Sequence, residues 1–205
     1  DELQNSMAKL TSGNRINKAA DDAAGLAISD NLMADVRSLK VAKRNASDGI
    51  SLLQTTEGGL VETGNMLSRL RELAVQAASD TLGDRERELL DREFLQIKSE
   101  IDRIATSTEF NGTRLLIGNN EMAEDIDKGS NPYPLEIQVA TDYFKEVDGK
   151  EQKNPVNLVR LDFSKLNSLT YGEDSLNIGQ NEEGTRVNRK ENAQYSINVL
   201  DGAIN

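Results

Sequence analysis

Carboxylates are the side chains of this chain best suited to acid–base chemistry, because the sequence contains no histidine and no cysteine. Ser-His-Asp and Cys-His nucleophile systems are therefore excluded, and so are thiolate metal sites. Two adjacent acids, Asp21 and Asp22, have the spacing of a catalytic carboxylate pair. They also lie at the start of a long amphipathic pattern, where the helix dipole favours negative charge. We therefore predict that they begin a helix, and that the chain has no catalytic residue and is not an enzyme.

A second acidic stretch, from Asp125 to Asn131, partly matches the spacing of a calcium loop. It lacks the glycine at the sixth position and the glutamate at the twelfth that such a loop uses. We therefore predict no metal site and no cofactor. Asn111, Gly112 and Thr113 fit the acceptor triplet for N-glycosylation, although a turn is sufficient to explain them.

The longest element that the sequence predicts is a helix over residues 20–79, which contain no proline. Alternate steps of three and four residues from Leu39 to Ala77 meet mainly apolar side chains, as in a heptad seam. The register is unchanged across Gly58 and Gly59, so we expect one continuous helix. The residues expected to pack along it are Leu53, Leu60, Leu67, Leu70 and Ala74.

The same periodicity predicts two further helices. One runs from about Asp84 to Ser107, after a break at residues 80–83, and the other begins near Asn188 and continues to the end of the chain. The sequence Phe110-Asn111-Gly112 predicts a turn after the second helix. The residues expected to pack along the two helices are Leu90, Phe94, Ile97, Ile101, Ile104, Ile197 and Leu200.

Residues 119–185 differ from the rest, because all three prolines lie there and the segment carries a net charge of −8. Two runs in it alternate in the manner of strands. They are Leu135, Ile137 and Val139, and Val159, Leu161 and Phe163. We predict an antiparallel pair with the polar Asp148-Gly149 between its strands. The expected fold is therefore mainly α with a small antiparallel β element, in an elongated bundle of long helices.

The overall charge and hydropathy exclude two classes of partner. The chain has a net charge of −11 and no basic patch, so we expect no nucleic-acid binding. No apolar run approaches the roughly 20 residues that cross a bilayer, so we expect no membrane contact.

Four ordered motifs in the first 112 residues resemble the bacterial flagellin family. They are Leu10 to Ser29, Arg44 to Gly58, Arg69 to Gln76, and Glu100 to Arg103 followed by Phe110-Asn111-Gly112. The resemblance divides the chain into four parts. These are a remnant of the amino-terminal helical segment (1–12), the long helical pair of the core rod (13–118), a variable β-rich segment (119–185) and the start of the carboxy-terminal core helix (186–205).

The resemblance implies a structural subunit of the flagellar filament, which serves motility. The family is exported by the flagellar type III apparatus and polymerises under a cap with other flagellin subunits, so an extracellular location in the flagellum is expected. Its terminal segments form an inner tube. Both ends of this chain look cut, so we expect this fragment to be monomeric. The alternative is a hook–filament junction protein, which should lack the Arg69–Gln76 and Phe110–Gly112 motifs together.

The resemblance also implies innate immune recognition by the vertebrate flagellin-sensing Toll-like receptor. The positions carried over from the family's contact are Arg69, Leu73 and Glu100, with Arg71, Glu72 and Gln76 as neighbours. An exposed arginine beside a leucine on a rigid helix suits a binding hot spot. The structural alternative for Arg69 is an ion pair with Glu62 or Glu72.

Overall fold

The structure is a computed structural model that divides into two compact units. The first comprises Asp1–Asp48 and Glu136–Val159, and the second comprises Gly49–Leu135 and Arg160–Asn205. The described residues are 7, 10–13, 15–18, 20, 22–118, 134–141, 144–147, 150–153, 156–170, 175–179 and 185–204. Most of the predicted remnant 1–12 and the calcium-like stretch from Asp125 to Asn131 lie outside them.

Helix α1 spans Ala23–Ala77 and passes through Gly58 and Gly59 without a break, as predicted. Asp22 caps its start, because Gly25 N donates to Asp22 Oδ1 at 2.9 Å and Leu26 N donates to Asp22 O at 3.0 Å. A carboxylate in this position satisfies an amide that the first helical turn leaves unpaired. Asp22 therefore lies at the start of the helix as predicted, but it caps the first turn from outside, and that turn itself contains no acid. Asp21 lies outside the described residues.

The buried side of α1 differs from the predicted seam. Leu67, Leu70 and Ala74 are buried as predicted, but Leu53 is 43% exposed and Leu60 is 37% exposed, so those two predictions are wrong. The inward side instead runs through the residues one position earlier, the buried Leu52 and the partly buried Gly59. Gly59 faces inward, because a Cβ added to it would lie 2.6 Å from Leu116 Cδ1 and 2.9 Å from Thr108 Oγ1, so a side chain there requires these neighbours to shift. Steps of three and four fit both lines, so the period alone could not choose between them.

Helix α2 spans Asp84–Ser107, the predicted bounds. Phe94, Ile101 and Ile104 are buried as predicted, while Leu90 and Ile97 are partly buried against the same core. The fully buried line also contains three charged residues that the apolar pattern did not identify. They are Arg87, Asp91 and Lys98.

Helix α3 spans Lys190–Ile204, so it begins two residues after the expected start near Asn188. Arg189 O accepts the first helical hydrogen bond, from Ala193 N at 2.9 Å. Leu200 is buried and Ile197 is partly buried, in agreement with their predicted packing. The three helices share the main apolar core of the second unit. Its fully or nearly buried members are Leu67, Leu70, Leu73, Ala74, Ala77, Phe94, Ile101, Ile178, Val187, Ala193 and Leu200.

Short β elements add further regular structure among the described residues. Strands β1 (Glu109–Phe110) and β2 (Thr113–Arg114) form an antiparallel hairpin. Asn111 and Gly112 join them at φ values of 51° and 79°, which suit the left-handed turn that an Asn-Gly pair favours. The turn that we predicted at this point is therefore present.

Strands β3 (Leu135–Gln138) and β6 (Leu158–Leu161) are hydrogen-bonded neighbours, as expected from their alternation. An additional antiparallel hairpin, β4 (Phe144–Val147) with β5 (Lys150–Lys153), lies between them in the chain. The predicted face is wrong at Val159, which is exposed while Leu158 is buried. The fold class is mainly α with small antiparallel β elements, as predicted.

Candidate interaction surface

Helices α1 and α2 run antiparallel in the second unit, because a later residue of α2 meets an earlier residue of α1. Arg87 reaches Ala77, whereas Glu93 reaches Arg69. Leu70, Leu73 and Phe94 are completely buried between these contacts. Close packing of this kind fixes the distance between the two helices, and therefore the positions of the charged side chains above it.

The corner between α1 and α2 is closed by Arg87. Its Nε donates to Ala77 O at 2.8 Å, and its Nη2 donates to Ser79 O at 2.8 Å. The last carbonyls of a helix have no partner within the helix, and a cation is favoured there by the helix dipole. Arg87, in the first turn of α2, therefore caps the carboxy-terminal end of α1.

A polar ladder on α2, made of Asp91, Lys98 and Asp102, binds the residues that precede α3. Asp91 accepts from Arg186 Nη2 at 2.5 Å and from Val187 N at 2.8 Å. Lys98 Nζ donates to Thr185 O at 3.2 Å. The ladder uses charged groups where the neighbouring turns of α2 use apolar ones.

The third residue of the polar ladder is Asp102, which accepts hydrogen bonds from Thr170 N at 2.8 Å and from Thr170 Oγ1 at 2.9 Å. Burial lowers the pKa of Lys98 to about 8, although Asp102 and Asp91 oppose that change. These groups hold backbone that is neither helix nor strand, so their contribution is structural. Sequence reasoning missed them because their partners lie 68 to 96 residues away.

The exposed side of the α1–α2 pair presents Arg69. Its Nη2 lies 2.7 Å from Glu93 Oε1 on α2, and its Nη1 lies 3.0 Å from Glu72 Oε2 on α1. The hydrogen bond to Glu93, followed by that to Glu72, raises the pKa of Arg69 above its ordinary value. The expected alternative of a Glu72 ion pair is therefore present. Glu93 was not expected, because a contact between helices has no signature in local spacing.

The structure separates the residues that the family resemblance had grouped. Arg69, Glu72 and Gln76 share one face of α1, because residues three, four and seven apart lie on the same side of a helix. Arg71 lies about 200° around the helix from Arg69, and its Nε donates to Asp201 Oδ1 of α3 at 2.6 Å. Glu100 accepts from Arg103 Nε on its own helix at 2.8 Å, which lowers the pKa of Glu100.

Leu73 requires a correction. The family resemblance implied that it takes part in the receptor contact beside Arg69, but it is 0% exposed and belongs to the core between the helices. The reason is that Leu73 lies three residues after Leu70 and four before Ala77, so it continues the buried side of α1. Leu73 therefore contributes to the rigidity of the surface and not to its contact area.

The chemistry available to this surface is that of recognition. Its charged groups are arranged as ion pairs, and the part of the chain that the structure describes holds no group of three or more acids placed to bind a metal ion. Across the described ranges, no helix combines the length and the hydropathy that crossing a membrane requires.

A family model described as the bacterial flagellin N-terminal helical region matches residues 1–121. The chain belongs to the flagellin family. Helices α1 and α2 and the β1–β2 hairpin all lie within the matched residues. Flagellins are structural proteins without enzymatic activity, so membership confirms the prediction that the chain is not an enzyme.

Two relatives and one solved structure show how far the likeness to flagellins extends. The flagellin of Salmonella paratyphi A is 37% identical over 201 residues, which is 98% of this chain and 36% of that protein. Flagellin A of Vibrio cholerae is 51% identical over 118 residues, which is 58% of this chain and 31% of that protein. The crystal structure of Bacillus cereus flagellin is 29% identical with a TM-score of 0.50, and the match covers 78% of this chain and 74% of that one.

The chain thus spans about a third of the length of these two curated flagellins. Within that span, α1 carries exposed apolar side chains in the second unit, in addition to its buried line. They are Ile50, Leu53, Leu60 and Val61. Exposed apolar residues that follow one helix face differ from scattered ones, because together they offer a continuous surface for packing.

Proposed function

We propose that the chain is part of a structural subunit of the bacterial flagellar filament. The observation that carries this proposal is the family match over residues 1–121. The exposed apolar residues of α1, from Ile50 to Val61, support it, because lateral packing between subunits needs apolar surface outside the subunit's own core.

The proposal extends to the route and the location that the family resemblance implies. The subunit is exported by the flagellar type III apparatus, assembles under the cap with other flagellin subunits and acts outside the cell in the flagellum. Residues 1–205 alone remain monomeric, because the inner-tube segments of the family contribute the coiled-coil contacts that hold the polymer together.

The test is polymerisation. We expect a chain that carries flagellin terminal segments on both sides of residues 1–205 to form filaments visible by electron microscopy, while residues 1–205 alone sediment as a monomer. Persistent monomers of the extended chain in the presence of filament seeds would contradict the proposal.

A hook–filament junction protein is the alternative within the same family. The presence of both the Arg69–Gln76 and the Phe110–Gly112 motifs favours the filament subunit over it. Expression of the protein in cells that lack their own filament protein distinguishes the two roles. A filament subunit restores long filaments there, whereas a junction protein leaves bare hooks.

We also propose that the α1–α2 surface is recognised by the vertebrate flagellin-sensing Toll-like receptor. The support is that Arg69, Glu72 and Gln76 lie exposed on one face of a helix that a buried core holds rigid. Leu73 is not part of this contact, because it has no exposed surface. Glu100 joins the surface from α2, while Arg71 lies on the side of α1 that faces α3.

The receptor proposal is tested with Arg69→Ala and the soluble receptor ectodomain. We expect a binding loss of about 1–2 kcal/mol or more, which is the range of a hot-spot residue, with a nearly unchanged melting temperature. A large fall in melting temperature would show instead that Arg69 acts mainly within the fold.

A further inference from the structure

The turn between β1 and β2 contains the one Asn-Gly pair of the sequence, Asn111-Gly112. Such a pair is chemically labile in an unfolded chain, because the backbone nitrogen of the glycine can attack the side-chain carbonyl carbon of the asparagine. Glycine favours this attack, since it has no Cβ to shield the nitrogen. Both residues are exposed, and nothing lies within 4 Å of the place that a Cβ of Gly112 would occupy. Water therefore reaches the pair in the folded chain.

The reaction is a cyclisation followed by a hydrolysis. Gly112 N gives up its proton and forms a bond to Asn111 Cγ, while the bond from Cγ to the side-chain nitrogen breaks and that nitrogen leaves as ammonia. The product is a succinimide ring. Water then opens the ring at either of its carbonyl carbons, which yields aspartate or isoaspartate. The net change is the gain of water and the loss of ammonia, so the reaction needs no oxidant and no cofactor.

The folded turn opposes this cyclisation. Asn111 and Gly112 have φ values of 51° and 79°, and the flanking strands pair Phe110 with Thr113, so the loop is a two-residue type I′ turn. In such a turn the first residue has a ψ of about 30°. At this ψ the Cβ of Asn111 lies nearly opposite Gly112 N across the Cα–C bond, and Cγ does not reach the nitrogen. Cyclisation therefore requires the turn to open.

The hairpin is anchored on both sides of the turn. Phe110 packs against the buried cluster that contains Leu52 and Leu115. Leu115 is 0% exposed, and its backbone nitrogen donates to Thr108 O at 3.1 Å. Leu116, which follows it, is also 0% exposed. Opening the turn breaks these contacts, so only a small fraction of folded chains has an open turn at any moment.

We propose that Asn111 is a latent modification site, which the closed β1–β2 hairpin keeps as an amide and which converts to isoaspartate when the hairpin opens. In isoaspartate the backbone runs through the former side chain, which adds a carbon atom to the loop. Since loop length fixes the register of a hairpin, the pairing of Phe110 with Thr113 is not restored in its original form. The modification therefore marks a chain that has remained open. The inference does not depend on the proposed filament or receptor role.

Two controls separate the chemistry of the pair from the position of the residue. Asn177 has a similar left-handed backbone, with a φ of 54°, but it is followed by Ile178. The β-branched side chain of Ile178 crowds the nitrogen, so Asn177 should resist cyclisation even in the denatured chain. Asn111→Gly removes the amide and keeps a type I′ turn, which a Gly-Gly pair also favours.

The test incubates the chain at mildly alkaline pH, in buffer and in denaturing guanidinium chloride, and follows isoaspartate by mass spectrometry of the tryptic peptide 104–114. We expect conversion of Asn111 to be at least about tenfold slower in the folded chain than in the denatured chain. Phe110→Ala weakens the anchor beside the turn, so it should speed conversion in the folded chain by about three- to tenfold and leave the denatured rate unchanged. Asn177 and the Asn111→Gly chain should yield no isoaspartate.

The other outcomes contradict defined parts of the proposal. Equal rates in the folded and denatured chains overturn the protection by the hairpin, and so does a folded Phe110→Ala chain that converts no faster than the unmodified one. If the denatured chain forms no isoaspartate at Asn111, the site itself is overturned. The ratio of folded to denatured rates in the unmodified chain decides the question even where Phe110→Ala does not fold.

Discussion

Two arginine–aspartate pairs link separate elements of the second unit at almost the same distance. Arg186 Nη2 lies 2.5 Å from Asp91 Oδ2, and Arg71 Nε lies 2.6 Å from Asp201 Oδ1. The Asp91 side chain is 4% exposed, whereas that of Asp201 is 47% exposed. Water screens the exposed pair and replaces a lost partner, but a buried charge that loses its partner stays desolvated. Burial, rather than distance, therefore decides how much the fold depends on each pair.

The largest effect is expected from Asp91→Ala. The substitution leaves the Arg186 guanidinium and the Val187 amide without the carboxylate that both donate to. Removing one partner of a buried ion pair costs about 3–5 kcal/mol. Urea unfolding should show a loss of this size in the free energy of unfolding. A loss below 1 kcal/mol would mean that the polar ladder contributes little and that the apolar core alone holds the unit.

The next effect is a pH dependence that belongs to Lys98. Asp91 and Asp102 face it from its own helix and Arg186 from the residues before α3, but burial dominates and lowers the pKa from 10.5 to about 8. Between these values the folded chain binds fewer protons than the unfolded chain, so the free energy of unfolding rises with pH.

Comparison with Lys98→Met isolates this contribution. The free energy of unfolding of the unmodified chain, minus that of Lys98→Met, should rise by about 1–3 kcal/mol from pH 8 to pH 10.5. Denaturant titrations at several pH values measure it. Parallel pH profiles for the two proteins would show that the Lys98 ammonium is not desolvated in the fold.

Alanine substitutions at two adjacent glycines of α1 are expected to change the stability in opposite directions. A Cβ at Gly59 would lie 2.6 Å from Leu116 Cδ1 and 2.9 Å from Thr108 Oγ1, whereas a Cβ at Gly58 meets nothing within 4 Å. We expect Gly59→Ala to destabilise the chain by about 1–2 kcal/mol through overpacking. Gly58→Ala should stabilise it by up to about 1 kcal/mol through helix propensity. Thermal melts of both variants measure the change in melting temperature. Changes of the same sign would contradict the assignment of Gly59 to the inward side of α1 and of Gly58 to the outward side.

The smallest effect is expected from Asp201→Ala. An exposed pair of this kind contributes about 0–1 kcal/mol, and salt screens it further. The free energy of unfolding should therefore change by at most about a third of the change caused by Asp91→Ala. Equal losses from the two substitutions would show that burial does not decide how strongly the fold depends on each ion pair.

The helices of this chain could be predicted well from its sequence, because helix length and period depend on local residues. The bounds of α2 followed from the break at residues 80–83 together with the repeat, and the continuity of α1 through Gly58 and Gly59 followed from its unchanged register. The face that each helix buries did not follow as reliably. On α1, Leu53 and Leu60 fit the repeat as well as Leu52 and Gly59 do. The packing of Leu115 and Phe163 with Leu52, and of Leu116 against Gly59, distinguishes them.

The burial of the charged groups on α2 could not be predicted from the sequence, for a different reason. A hydrophobic pattern assigns Asp91 and Lys98 to the solvent, and nothing in the sequence near them indicates that Val187 and Thr185 cover them. The exposed residues of the candidate surface were found through family motifs, whereas Glu93 was found only through its distance to Arg69. Long-range polar contacts are thus the part of this molecule that required coordinates.

The corner between α1 and α2 has a consequence for protease resistance. A short polar link between two helices is ordinarily a preferred place for a protease to cut, because its backbone can enter a cleavage site. Here the Arg87 side chain binds the carbonyls of Ala77 and Ser79, so that backbone is tethered from α2. Cleavage at residues 78–83 must therefore wait until the two helices separate, and the corner should survive limited digestion for as long as the core beneath it does.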